Sequence, residues 1–181
     1  MINIRQGCYE TNSSSCHSIC ISKKQVKPGN FIHFGLDDFG WDPNEVYNTE
    51  DYLYTAIVTS FKAEETDKYL KRLKKILDKN CIRYEFEPIK LVHHEWGNFY
   101  EPVKEYGWGY GIDHGSELRP MIEALLADEN LLMRYLFGNT VIYTGNDNSC
   151  ELEDMCFIAD VYNKTNSHYR PDKYDYFFKG N

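Results

Sequence analysis

The strongest constraint on the fold is a helix-period pattern between residues 66 and 79. Tyr69, Leu70, Leu73, Ile76 and Leu77 recur at the three- and four-residue spacing that places them on one side of an α-helix. Lys68, Lys71, Arg72, Lys74, Lys75 and Lys79 fall on the opposite side. Thr66 stands where a cap is expected and Asn80 where the helix closes. An apolar stripe of this kind has to be buried, so the rest of the chain must supply a core for it. Just after it, Ile82, Tyr84 and Phe86 alternate with Arg83, Glu85 and Glu87 until Pro88, the period of a strand with one face inward. Helix followed by strand calls for helices packed on a sheet.

The remaining pattern agrees. Ile2 and Ile4, and later Ile19 and Ile21, alternate with small or polar neighbours, as half-buried strands do. Residues 7–17 between them are too polar for a core strand and read as an ordered connection. Pro28-Gly29-Asn30 turns the chain into a strand over 31–34. Asn48 or Thr49 can cap a helix with Glu50 and Asp51 in its first turn, running to about Lys62. Residues 96–115, dense in Gly and aromatics, read as a loop. Ser116 begins a helix carrying Leu118, Ile122, Leu125 and Leu126, with Pro120 tolerated in its first turn. Asp128 caps another, with Leu131, Leu132, Tyr135 and Leu136, which Gly138 stops. A strand over 141–144 and a turn over 145–148 follow. The expectation is a single α+β domain over residues 1–181, helices packed on a mixed or antiparallel sheet, with a Tyr-rich C-terminal segment, 162–181, free to be mobile.

At 181 residues and 42% hydrophobic content, the chain can bury a core without help from metal or disulfide. No apolar run reaches the length of a membrane span and the opening residues lack the pattern of a signal peptide, so no membrane partner is expected and the cytosol is the expected compartment. There the six cysteines stay reduced. None of Cys8, Cys16, Cys20, Cys81, Cys150 and Cys156 forms a pair two residues apart, the usual zinc chelate, which leaves a set of Cys8, Cys16, His17 and Cys20 as the weak alternative. No metal and no cofactor are expected.

Charge is uneven. The chain carries −8, yet residues 67–79 hold six basic residues against Asp67 and Asp78, about +4, which leaves −12 for the remainder. A net acidic chain does not coat naked duplex DNA, because that affinity comes from Lys and Arg displacing counterions. A local basic face, formed by Lys68, Lys71, Arg72, Lys74, Lys75 and Lys79, still has a natural counterpart in a phosphate backbone or an acidic protein surface. Asp37, Asp38, Asp42 and Glu45, with Asp147, Glu151, Glu153 and Asp154, could conversely meet a basic channel in another protein.

Three further clusters carry chemistry-bearing groups. Asn12, Ser13 and Ser14, before His17, are the residue types that bond nearby backbone, and a serine run by itself shows no base in reach of a nucleophile. Asp113 and His114 precede Ser116, where a helix start offers N–H groups to an anion and an Asp tunes a His. In residues 93–95, His93 and His94 are adjacent, so on a strand they face opposite ways and do not chelate one metal.

The run Arg5-Gln6-Gly7-Cys8-Tyr9-Glu10-Thr11-Asn12-Ser13-Ser14-Ser15-Cys16-His17-Ser18 resembles the opening of a group of small proteins from bacteriophages and mobile elements of low-GC bacteria. Ile112-Asp113-His114-Gly115-Ser116 and Thr144-Gly145-Asn146-Asp147-Asn148 are similar to stretches of the same group. Some of its members look like inhibitors of type II CRISPR effector nucleases. The resemblance implies a phage counter-defence role in the host bacterial cytosol, with the effector nuclease or its guide RNA as partner. Such an effector holds its nucleic acids in positively charged channels, which suits an acidic inhibitor. Two other roles fit the residues: a small phosphodiesterase or nuclease using Asp113 and His114, for which His17 is a further candidate, and a phage housekeeping interaction module.

Overall fold

The computed structural model describes residues 15–24, 26–40, 44–94, 97–101, 110–112, 114–146 and 174–180. Among them the chain runs through strands β1 (Ser15–Ser22), β2 (Phe31–Phe34), β3 (Asp38–Phe39) and β4 (Asn44–Val46), then helices α1 (Thr49–Ser60) and α2 (Ala63–Lys79). Strands β5 (Arg83–Phe86), β6 (Lys90–His94), β7 (Gly97–Glu101) and β8 (Gly111–Ile112) follow. A 3₁₀ turn (Gly115–Leu118), helices α3 (Arg119–Ala127) and α4 (Glu129–Phe137), and strands β9 (Val141–Asn146) and β10 (Tyr174–Gly180) complete the order. The fold is α+β, as the pattern predicts.

Helix α1 is the centre. Residues 52–58 are buried without interruption, two full turns enclosed on every side, and α1 touches β2, β7, β8, the 3₁₀ turn and all three other helices. Its polar side chains therefore need partners inside the protein, since an unpaired buried group costs about 1–3 kcal/mol. They have them. The Tyr52 hydroxyl lies 2.8 Å from His17 Nδ1, Tyr54 donates to the Glu87 carbonyl at 2.7 Å, and Ser60 donates to the Gly115 carbonyl. At its start, Tyr135 donates to the Thr49 carbonyl at 2.8 Å. At its end, Arg119 donates through Nε and Nη2 to the Ser60 carbonyl at 2.9 and 2.6 Å.

Around this helix lie a four-stranded antiparallel sheet in the order β10-β1-β9-β4, two parallel pairs, β2-β5 and β3-β8, and the antiparallel hairpin β6-β7. In the large sheet Ile19 sits between Ile142 and Phe178, and His17 between Thr144 and Gly180. One hydrophobic cluster takes in every helix and strands β1 to β4, β8 and β9. Phe34 stacks on Phe86 at 4.5 Å between ring centres, joining β2 to β5.

Several local expectations are corrected. Strand β1 starts at Ser15, so the end of the polar connection is strand, and His17 is fully buried because Tyr52 satisfies its ring. Strand alternation then puts His17 and Cys20 on opposite faces of β1, which excludes them from one metal site. Burial pushes the Cys20 thiol up to about 11, as for an inert core thiol. The stretch 96–115 contains β7 and β8, so its described part is not only loop; sheet pairing overrides its Gly content. The described part of the Tyr-rich segment is β10, paired with β1. Residues 1–14, with Asn12, Ser13 and Ser14, lie outside the described residues, as does Asp113.

Helix α2 begins three residues before its expected cap. Thr66 is buried inside it, with its hydroxyl 3.4 Å from the Ile57 carbonyl and 3.3 Å from the Phe61 carbonyl, so it ties α2 to the end of α1 instead of capping α2. The far end closes as read, at Asn80, and then turns sharply. Cys81 N–H donates to the Asp78 carbonyl and Ile82 N–H to the Leu77 carbonyl, both at 3.0 Å, with Ile82 and Leu77 both buried. This is a Schellman closure, and it holds Cys81 at φ 56°, the left-handed region that favours glycine. Cys81→Gly should therefore raise stability by about 1 kcal/mol, and Tm by about 2–4 °C, in a thermal melt. A lower Tm would contradict the strain at this position.

Candidate nucleic-acid interface

The basic side of α2 gathers six cations on one helix. Over its full length the helix carries six basic residues and four acidic ones, Glu64, Glu65, Asp67 and Asp78, a net +2. Glu64, Glu65 and Asp67 lie in the first turns, where they complement the helix dipole, Asp78 lies in the last turn, and the cations begin at Lys68. Glu64, Asp67, Lys68, Lys71, Arg72 and Lys75 line a shallow open depression of about 580 Å³.

The cations divide into two sets. Arg72 donates to the Leu126 carbonyl at 3.2 Å and lies 5.8 Å from the Tyr69 ring centre, so it fastens α2 to the end of α3. Lys74 sits 5.1 Å over the Phe86 ring, and Lys79 pairs with Glu129 at 2.6 Å. These three serve the packing of α2. Lys68, Lys71 and Lys75 are exposed, at three- and four-residue spacing along one line, with the Lys68 ammonium also 5.8 Å from the Tyr69 ring centre. Among the described residues no carboxylate lies within ion-pair distance of Lys71 or Lys75. Of the flanking acids, Asp67, four residues before Lys71, accepts the Tyr100 hydroxyl from β7 at 2.5 Å, and Asp78, three residues after Lys75, is hydrogen-bonded to Tyr84. The Asp67 bond, with burial, pushes the Tyr100 phenol up to about 12 and engages the carboxylate.

The other sequence candidates do not converge on this face. His17 is buried in the core, and His114 is exposed in left-handed conformation at φ 52°, ahead of the 3₁₀ turn. Ser116 is exposed within that turn and does not start an α-helix; α3 begins at Arg119, with Pro120 in its first turn. The structure thus buries one proposed catalytic imidazole and exposes the other, and Asp113 lies outside the described residues. Among the described residues, no group of three His, Cys, Asp or Glu side chains is arranged to hold a metal ion. No described helix is long and apolar enough to cross a membrane. Sequence reasoning missed Tyr100 and the division of labour among the cations; Asp67 four residues before Lys71 was the available signal that the face is not purely basic.

Comparison of the chain with protein-family models, with curated proteins and with solved structures finds no match.

The link between α2 and α4 has a pH signature. Hydrogen bonds from Lys79 and Asn80 hold the Glu129 carboxyl below its ordinary value of 4.5. A depressed carboxylate contributes stability above its unfolded pKa and loses it as pH falls through the folded one. Glu129→Gln should therefore melt below wild type at pH 7, and the gap should close as the pH drops well under 4.5. A gap that persists unchanged in acid would show that the carboxylate charge is not what holds the helices.

Proposed function

We propose that the chain is a phage counter-defence protein that acts in the host cytoplasm by binding a type II CRISPR effector nuclease through the guide RNA it carries. The observation that carries this reading is the line of exposed lysines, Lys68, Lys71 and Lys75, on a helix fastened to the core by Arg72, Lys74 and Lys79. Cations on a helix already docked to the core meet phosphates without ordering of the backbone, so less of their electrostatic gain is spent on binding. The net charge of −8 restricts contact with nucleic acid to this face and leaves acidic surface to meet basic walls of the effector. The likeness of residues 5–18 to the opening of phage proteins supplies the biological setting. The proposed role is one of binding; His17, the third candidate of the phosphodiesterase alternative that uses Asp113 and His114, is buried against Tyr52.

Target-DNA cleavage by a purified type II effector, with the protein added before or after the guide RNA, tests the reading. Inhibition is expected, with the guide intact on a denaturing gel. Replacing Lys68, Lys71 and Lys75 together with Glu should abolish it and flatten the dependence of log affinity on log salt by about 2, from three lost single-strand phosphate contacts. A shortened guide would point to nuclease chemistry instead, and full inhibition by the triple variant would remove α2 from the interface.

A further inference from the structure

We propose that the outward face of the β2-β5 pair is a base-stacking platform for single-stranded RNA, an inference that rests on the reading of α2 as a phosphate-contacting helix and names the form of nucleic acid it accepts. Ile32 and Phe34 of β2 point into the core, so the same strand turns Phe31 and His33 outward. Phe31 is 48% exposed, a large apolar surface left in water. On β5, Arg83 and Glu85 are the outward residues; Phe31 is directly opposite Arg83, and His33 directly opposite Glu85. An exposed aromatic ring beside a guanidinium is a surface on which bases stack irrespective of sequence.

Spacing selects the form of nucleic acid. Residues two apart on a strand are about 6.6 Å apart, so the Phe31 and His33 rings are separated by about twice the 3.4 Å step of a stacked duplex. Bases held in a duplex keep their faces covered, whereas unpaired bases can splay out to separate rings. Duplex RNA would meet only the lysines.

Continuity with α2 supports the same occupant. Lys68 and Lys79 span about 16.5 Å of helix, and Arg83 follows four residues after Lys79, within about 14 Å of chain. The closure at Cys81 and Ile82, and the bond from Arg83 N–H to the Asn30 carbonyl at 3.0 Å, fix β5 and the start of β2 against the end of α2. Arg83 and Phe31 lie beyond the end of α2, past Asp78, whose carboxylate is engaged by Tyr84 of β5, so a strand that follows Lys68, Lys71 and Lys75 passes this engaged carboxylate to reach them. Glu85, 3.8 Å from His33 Nδ1, sets the far limit, because its charge repels phosphate.

The test measures binding of the full chain to a short labelled unpaired oligoribonucleotide and to the duplex of the same length by fluorescence anisotropy. Wild type should prefer the unpaired strand. Phe31→Ala should weaken unpaired RNA about tenfold, with the salt slope and the duplex affinity unchanged, and Phe31→Trp should restore it. Lys71→Glu with Lys75→Glu should weaken both forms and flatten the salt slope. If Phe31→Ala binds like wild type while the lysine variant does not, the platform is refuted and the α2 reading stands. If wild type binds neither RNA at low salt, the α2 reading fails and the platform with it.

Discussion

The enclosure of α1 is the constraint on which the other elements depend. A helix buried through residues 52–58 has no solvent side there, so the buried polar side chains Tyr52, Tyr54 and Thr55 bond to segments remote in sequence. His17 meets Tyr52 across 35 residues, Glu87 meets Tyr54 across 33, Gly115 meets Ser60 across 55 and Tyr135 meets Thr49 across 86. These bonds fix where β1, the end of β5, the 3₁₀ turn and α4 sit. The loop after β2 is held in the same manner, with the Gly35 amide on Asp51, the Leu36 amide on Glu87 and the Asp37 amide on Thr55. Removing one partner leaves a buried donor or acceptor without water, which is why such a network specifies one arrangement more sharply than apolar packing alone.

That arrangement makes α2 rigid without burying its charge. Its inner stripe, Tyr69, Leu73 and Leu77, enters the core; Thr66 joins its first turn to α1, Arg72 its middle to α3, and Lys79 and Asn80 its last turn to α4. Long cationic side chains whose stems lie on aromatic rings, as Lys74 does on Phe86, add packing while the charge stays at the surface. Exposed Lys68, Lys71 and Lys75 are left in register on a fixed support. Their mutual repulsion is a modest cost that a polyanion would reverse.

The sequence was most informative where periodicity is local. The α2 stripe, the alternation through β5, Asp128 as the cap of α4 and Gly138 at its end are all as read. Asp128 accepts from the Asn130 and Leu131 amides at 2.9 and 3.1 Å, a bond within its own turn that needs nothing from elsewhere. What depends on remote partners was hidden. Thr66 resembles a cap until the end of α1 arrives beside it, and His17 belongs to a polar run until Tyr52 takes its ring. The basic face was legible as a set of residues, but not which cations remain available, because Leu126, Phe86 and Glu129 make that choice. In residues 31–34, apolar at three of four positions, no alternation reveals that Phe31 is the ring turned outward.

In the proposed complex, the exposed lysines of α2 are the surface that meets the guide-loaded effector. The most direct measurement is lysine reactivity toward an amine-acylating reagent, read residue by residue by mass spectrometry, for the free protein and for its complex with that effector. Lys68, Lys71 and Lys75 should become protected, while Lys24 and Lys90, exposed elsewhere, keep their reactivity. Equal labelling of the α2 lysines in both states, with protection confined to other residues, would contradict the account.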